Sequence, residues 1–267
     1  MIQKIKRIPD LLGRPLRATA DDLASLKIPA EVRQALRIPV PAEMPTVPDA
    51  IPVQQILQLP ALGSAVLFTG SDGNRYPCWL EGDENLGDDW LLTEEYYPRY
   101  HRLYQALGSR FSRPALLEFG VRTGYSGVAF VKAQENRNCS YTGVDPNLYV
   151  SGGLEKAAAT FRQLRSEGFG LDYFLLEGFS SSSAVQNSLH FSGPYHLIHI
   201  DGEHTLFGKV FDLWIARNLL AGGGFVLVDD FEHHGLIADS VKIALQMGWY
   251  SKFSFYPTRR GLAVLSL

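Results

Sequence analysis

Cysteine is nearly absent, with Cys78 and Cys139 the only two in 267 residues. That scarcity argues against a disulfide framework and fits a reducing, cytoplasmic setting. No apolar run reaches the roughly 18 residues that a membrane-crossing helix needs, so no transmembrane segment is expected. The first seventeen residues carry Lys4, Lys6, Arg7, Arg14 and Arg17 but no long apolar stretch, and do not read as a signal peptide. Net charge is only −3, which argues against a nucleic-acid binder driven by phosphate neutralisation. No internal repeat and no His/Cys cluster of the kind that holds zinc is present. The Gly-x-Gly-x-x-Gly fingerprint of dinucleotide binders is missing too, which makes a nicotinamide oxidoreductase the least favoured reading.

What is present is globular in composition: 46% hydrophobic and 20% charged residues predict a packed core. The length allows one large domain, or one domain and a smaller segment. Residues 1–92 read as that segment. Thr19 and Asp22 can open a short helix, and Pro29 a second one through Leu36. Pro39, Pro41, Pro45, Pro48 and Pro52 then break regular structure and suggest an extended arm lying on the main domain. Ala65–Phe68 and Tyr76–Leu80 flank Ser71–Asn74 as a hairpin. The arm is expected to act as a lid or to mediate homo-oligomerisation, unless Trp79 and Trp90 line an acceptor pocket.

Residues 93–267 read as one α/β domain. Thr93 caps a helix with a tyrosine stripe (Tyr96, Tyr97, Tyr100, Tyr104), and strands and helices then alternate. The strands are 115–119, 141–144, 173–176, 196–200, 225–228, 250–256 and 262–267. Such alternation means a mainly parallel sheet covered on both faces, with ligands beyond the carboxyl ends of its strands. The organising stretch is Leu116–Ser126, LLEFGVRTGYS, in which an apolar strand, a glycine turn and a helix start form a cofactor cradle. Five successive strands end in an acid: Glu118, Asp145, Glu177, Asp201 and Asp229, the last followed by Asp230. Crowded carboxylates repel unless a cation sits among them, so they point to a cationic or polyhydroxyl cofactor, a metal, or both. The alternative is that they cap the following helices. Asp145 lies 21 residues past Gly124, where an acid takes ribose hydroxyls.

At LLEFGVRTGYS, YTGVDPN, YHLIHIDGEHTLFGKVFDLW and LLAGGGFVLVDDF the chain resembles the class I S-adenosylmethionine-dependent methyltransferases. Within them it looks like the metal-dependent O-methyltransferases of sugars, polyketides and other natural products, which have relatives of the cephalosporin-hydroxylase type. The resemblance implies a Rossmann-like, doubly wound seven-stranded sheet of order 3-2-1-4-5-7-6, with the last strand antiparallel. It also implies that Glu118, Gly120, Arg122, Thr123, Gly124, Tyr125 and Ser126 hold the methionine half of S-adenosylmethionine. Asp145 would bind the ribose, Gly178, Phe179 and Ser180 would flank the adenine, and Asp201 would lie at the cofactor as well as the metal.

Asp201, Asp229 and Asp230 would bind one divalent cation. Three carboxylates are hard oxygen ligands, suited to Mg²⁺, with Ca²⁺ or Mn²⁺ as alternatives. His204 is the first candidate for the base that deprotonates a small hydroxylated acceptor, followed by Glu203, then His233 and His234. His190, His196 and His199 read as structural. Two other outcomes are weighed against methyl transfer: a hydroxylase-like or other non-methylating enzyme on the same scaffold, and a non-catalytic cofactor-binding partner. No nucleic-acid or membrane partner is expected.

Overall fold

The computed structural model describes residues 28–45, 67–69, 75–77, 96–134, 138–147, 152–232, 234–256 and 260–267. The helix expected at Thr19–Asp22, Pro48, Pro52, Cys78, Trp79, Trp90, Thr93, His233 and the boundary at 92/93 lie outside them.

In the amino-terminal part, helix α1 (Ala30–Ala35) follows Pro29, whose fixed φ suits a helix start. It buries Val32 and Ala35 in the core of the larger domain. Strands β1 (Leu67–Thr69) and β2 (Arg75–Pro77) pair antiparallel as a two-stranded ribbon, and the expected turn Ser71–Asn74 lies outside the described residues.

The rest is one alternating series. Helix α2 (Tyr96–Gly108) leads into β3 (Ala115–Phe119), α3 (Tyr125–Ala133), β4 (Cys139–Asp145), α4 (Gly153–Ser166) and β5 (Leu171–Glu177). Then come α5 (Ser183–Ser192), β6 (Tyr195–Ile200), α6 (Leu206–Leu219), β7 (Leu220–Val228), α7 (Gly235–Gln246), β8 (Lys252–Tyr256) and β9 (Leu262–Ser266). The seven-stranded sheet has the order β5-β4-β3-β6-β7-β9-β8. Strands β5 to β7 are parallel in it, and β9 runs antiparallel to both of its neighbours. Counted within this sheet, that is the expected 3-2-1-4-5-7-6. The chain winds outward from β3 through β4 to β5, then returns to lay β6 on the other side of β3. The β3/β6 junction is therefore the switch point where a ligand crevice forms.

Some strands differ from the spacing-based ranges. Strand β7 begins at Leu220 rather than Phe225, because Ala221–Gly224 has almost no side chain to signal a strand and yet Leu220 pairs with Tyr195. Strand β8 begins at Lys252 rather than Tyr250. Tyr250 instead packs into the core, and its hydroxyl donates to the Leu213 carbonyl at 2.7 Å.

Side chains alternate across the sheet. Leu116, Leu197, Phe225 and Leu227 face one core with α2, α3 and α4, rich in Tyr100, Tyr104, Phe130, Tyr141 and Phe161. Leu117, Phe119, Ile198, Ile200, Val226 and Val228 face the other core, with α1, α5, α6 and α7, which is mainly Val, Ile and Leu.

Candidate active site

The turn between β3 and α3 is built on left-handed backbone. Gly120 has φ +95°, Arg122 φ +51° and Gly124 φ +89°. A Cβ on Gly120 would lie 2.3 Å from the carbonyl oxygen of Asp201, so only glycine lets this turn lie against the end of β6. Gly124 is the N-cap of α3 and no side chain caps that helix, which leaves its first N–H groups to the crevice.

Asp145 ties the neighbouring turns together. Its Oδ2 accepts the Arg122 N–H at 2.7 Å and its Oδ1 the Asn147 N–H at 2.6 Å. Its backbone carbonyl accepts the Gly178 N–H at 2.9 Å, which brings the Gly178–Ser180 loop beside it. Phe179 is 36% exposed there. The Ser180 hydroxyl donates to Asp212, a residue that the motif reading passed over. Asp212 is buried on α6, and burial pushes its carboxyl up to about 7, against the hydrogen bond from Ser180 and the nearby Lys209.

Glu118 lies beneath the cradle, fully buried. Its oxygens accept hydrogen bonds from the Ser126 and Tyr141 hydroxyls. His199 Nδ1 is 3.4 Å from it, and the Tyr104 hydroxyl is 2.8 Å from the same nitrogen. His199 Nε2 faces Asp229 Oδ2 at 3.8 Å and makes no hydrogen bond. Burial opposes a charge on this ring, but the carboxylates Asp229 and Glu118 outweigh it and raise its pKa to about 10.

None of the five strand-end acids caps a helix. The N-cap positions are Gly124, Gly152, Ser182, Thr205 and His234, and the Ser182 and Thr205 side chains accept from the first turn. Glu177 ends the edge strand β5 in an exposed position. Asp201 and Asp229 lie one residue beyond their strands, at the switch point. Burial in the cleft raises the Asp201 pKa, and the charges of Asp229 and Asp230 add to that rise, while His204 and Lys209 oppose it.

His204 Nε2 stands 3.3 Å from Asp230 Oδ2 and 3.8 Å from Asp201 Oδ1, with 38% of its side chain exposed. Its ring lies 5.0 Å from that of His234. Glu203 is held differently: its Oε1 accepts the Thr205 hydroxyl at 2.8 Å, at the start of α6. Arg260 grips Asp230 through Nη1, at 2.9 Å from Oδ1 and 3.1 Å from Oδ2. The crevice thus brings together Asp201, Asp229, Asp230, His204 and His234, with Arg260 and His199 as cationic neighbours that motif reading did not supply.

Asp201, Asp229 and Asp230, the oxygen set expected from the sequence, are not drawn together as a ligand group among the described residues, and Arg260 holds Asp230. His204, Asp230 and His234 bring one ligand atom each within 4.8 Å of one another, a two-histidine, one-carboxylate set. The residues accommodate a divalent ion. The charge of the three acids does not by itself demand one, since His199 faces Asp229 and Arg260 holds Asp230.

Residues 117–231 match the family described as "Methyltransferase domain". The match spans the cradle, Asp145, the Asp201–His204 segment and Asp229–Asp230. The O-methyltransferase ankF of Aspergillus thermomutatus is 28% identical over 129 residues, which cover 46% of this chain and 48% of that protein. The chain therefore spans about half the length of this curated relative. Among solved structures, the apo form of CalS11, a TDP-rhamnose 3'-O-methyltransferase of calicheamicin biosynthesis, superposes with TM-score 0.53 at 15% identity. That likeness covers 80% of this chain and 92% of CalS11, and shows that the two share a fold. Among the described residues, no helix is long and apolar enough to cross a membrane.

Proposed function

We propose that the protein is an S-adenosylmethionine-dependent O-methyltransferase acting on a hydroxyl of a small molecule, such as a sugar, polyketide or other natural product. The observation that carries this reading is the meeting of cradle and crevice at the switch point, with Gly120 against the Asp201 backbone and His204 at the crevice mouth. The O-methyltransferase relative supports the choice of oxygen as acceptor.

The cradle residues Gly120 and Arg122–Ser126 hold the methionine half of the cofactor, and Glu118 braces them from below through Ser126. Asp145 keeps acceptor capacity for ribose hydroxyls, because a carboxylate has about four lone-pair sites and two are used. Gly178, Phe179 and Ser180 form the adenine side. S-Adenosylmethionine, when bound, supplies a methyl group on an electrophilic sulfonium. His204 Nε2 takes the proton from the acceptor hydroxyl, and Asp230 orients its ring and stabilises the imidazolium. Glu203 and His233 are the alternative bases.

Asp201, Asp229 and Asp230 would hold a divalent cation, which when bound would supply Lewis acidity to an acceptor oxygen. Mg²⁺, Ca²⁺ or Mn²⁺ suits that oxygen set. The grouping of His204, Asp230 and His234 favours a second reading, in which a transition ion takes two imidazoles and His204 is a ligand instead of the base. The amino-terminal residues 1–92 serve as a lid or self-association segment, with residues 28–45 resting on α6 and α7 through Val32, Ala35 and the bond from Lys242 to Ala42.

The test is methyl transfer to a panel of hydroxylated acceptors, with chelator, and with Mg²⁺ or Co²⁺ restored. His204→Ala should lower kcat about 100-fold or more, with affinity for S-adenosylhomocysteine nearly unchanged. Wild-type kcat in that variant would remove His204 as the base. Loss of Co²⁺ binding in His204→Ala and His234→Ala would select the two-histidine reading. Full activity in excess chelator would remove the cation.

A further inference from the structure

We propose that His199 is a positioning residue, a buried bridge that holds Glu118 of the cradle and Asp229 of the crevice in register with each other. It rests on the cofactor reading above. Strand pairing places Glu118 opposite His199, and His199 opposite Leu227, two residues before Asp229. With a period of two, all three polar side chains emerge on the same face of the sheet. At this depth the neighbours on that face are Leu116, Leu197 and Leu227, all buried.

An acid with no exposure, among leucines and tyrosines, is costly unless its lone pairs are met. Ser126, Tyr141 and His199 surround Glu118 for this purpose. The Tyr104 hydroxyl holds His199 Nδ1 from the side, and the Tyr100 ring lies 5.6 Å from the imidazole. The position of the ring is thus set on the cradle side. Its second nitrogen is buried, without a hydrogen bond, and aimed at Asp229 Oδ2. Asp229 Oδ1 meanwhile accepts the Asp230 N–H at 2.8 Å, so the same carboxylate also sets the turn that carries Asp230. One ring therefore touches the acid under the cofactor turn and the acid that begins the catalytic turn. Moving either one moves the other.

A mutant cycle on the full chain tests this, with S-adenosylhomocysteine as the calorimetric probe. Wild type, His199→Leu, Asp229→Asn and the double variant are compared. Asp229→Asn should weaken binding of the probe at least about threefold, and this effect should vanish in the His199→Leu background. His199→Gln, which keeps an N–H donor, should retain part of the coupling, and replaces His199→Leu in the cycle if the leucine variant does not fold. The bridge is overturned if Asp229→Asn leaves probe affinity unchanged, or if the two substitutions act independently. Should wild type bind no probe, the cofactor reading fails. The bridge is then judged from thermal denaturation of the same proteins: losses in Tm that do not add support it, and additive losses overturn it.

Discussion

The two faces of the central sheet are packed with different chemistry. Under α2, α3 and α4 the core is aromatic, with Tyr100, Tyr104, Phe130, Tyr141 and Phe161. Under α5, α6 and α7 it is built mainly from Val210, Leu213, Ile215, Val241, Ile243 and similar side chains. The buried strand residues Glu118 and His199 emerge on the aromatic face. A phenol fills as much volume as a large apolar residue, and it can also carry a hydroxyl to a buried acid. Tyr141 does this for Glu118, and Tyr104 for His199. The tyrosines of the aliphatic face, Tyr195 and Tyr250, turn their hydroxyls to Ser192 and to the Leu213 carbonyl instead. The hydroxyl partners of the cradle acid thus come from the aromatic face.

That contrast can be broken by mutation. Ile198→Ala, on the aliphatic face, should cost about 2–5 kcal/mol of stability through lost burial and a cavity, while the folded fraction binds cofactor as wild type does. Denaturant unfolding together with a binding titration checks both parts. A loss of cofactor affinity in the folded protein would mean that the aliphatic face also shapes the site.

Asp212 sharpens the comparison, because it is a buried acid reached from the aliphatic-face helix α6. Its folded pKa of about 7 lies above the ordinary unfolded value near 3.9, so the folded state binds the extra proton. Stability contributed by this group is complete below pH 4 and is lost as pH rises to about 7, by up to roughly 4 kcal/mol. Asp212→Asn should therefore gain Tm relative to wild type as pH rises from 4 to 7, and hold that gain above 7. A difference that does not change with pH would show that the carboxyl titrates normally.

Tyr141→Phe, on the aromatic face, should cost about 1–3 kcal/mol by removing a donor from a buried carboxylate, and should also weaken cofactor binding. Stability lost without any change in affinity would reduce the aromatic face to packing. The smallest effect is expected at Phe191, the most exposed large apolar side chain among the described residues. Phe191→Ser should shift stability by no more than about 0.5 kcal/mol and leave turnover as it was.

Much of this was legible before the fold. Alternating apolar runs implied the parallel strands, and the glycine turn after Glu118 located the cradle. Asp145, Asp201, Asp229 and Asp230 could be picked out because each follows an apolar run that can only be a strand. The start of β7 was hidden because glycine leaves no pattern. His199 was set aside as a strand histidine, although a signal existed: Glu118 sits two residues before Gly120 and His199 two before Asp201, so strand order alone puts them at the same depth.

The sequence by itself determined the strand–helix alternation, the cradle and the row of acids, because those follow from local periodicity and turn chemistry. Only the tertiary structure decided which charges meet. Arg260 comes to Asp230 from the β8–β9 connection, Ser180 to Asp212 from a loop to a helix, and His199 between Glu118 and Asp229 across three strands. Electrostatic partners are chosen by distance in space, and sequence spacing carries no record of that distance until the sheet is assembled.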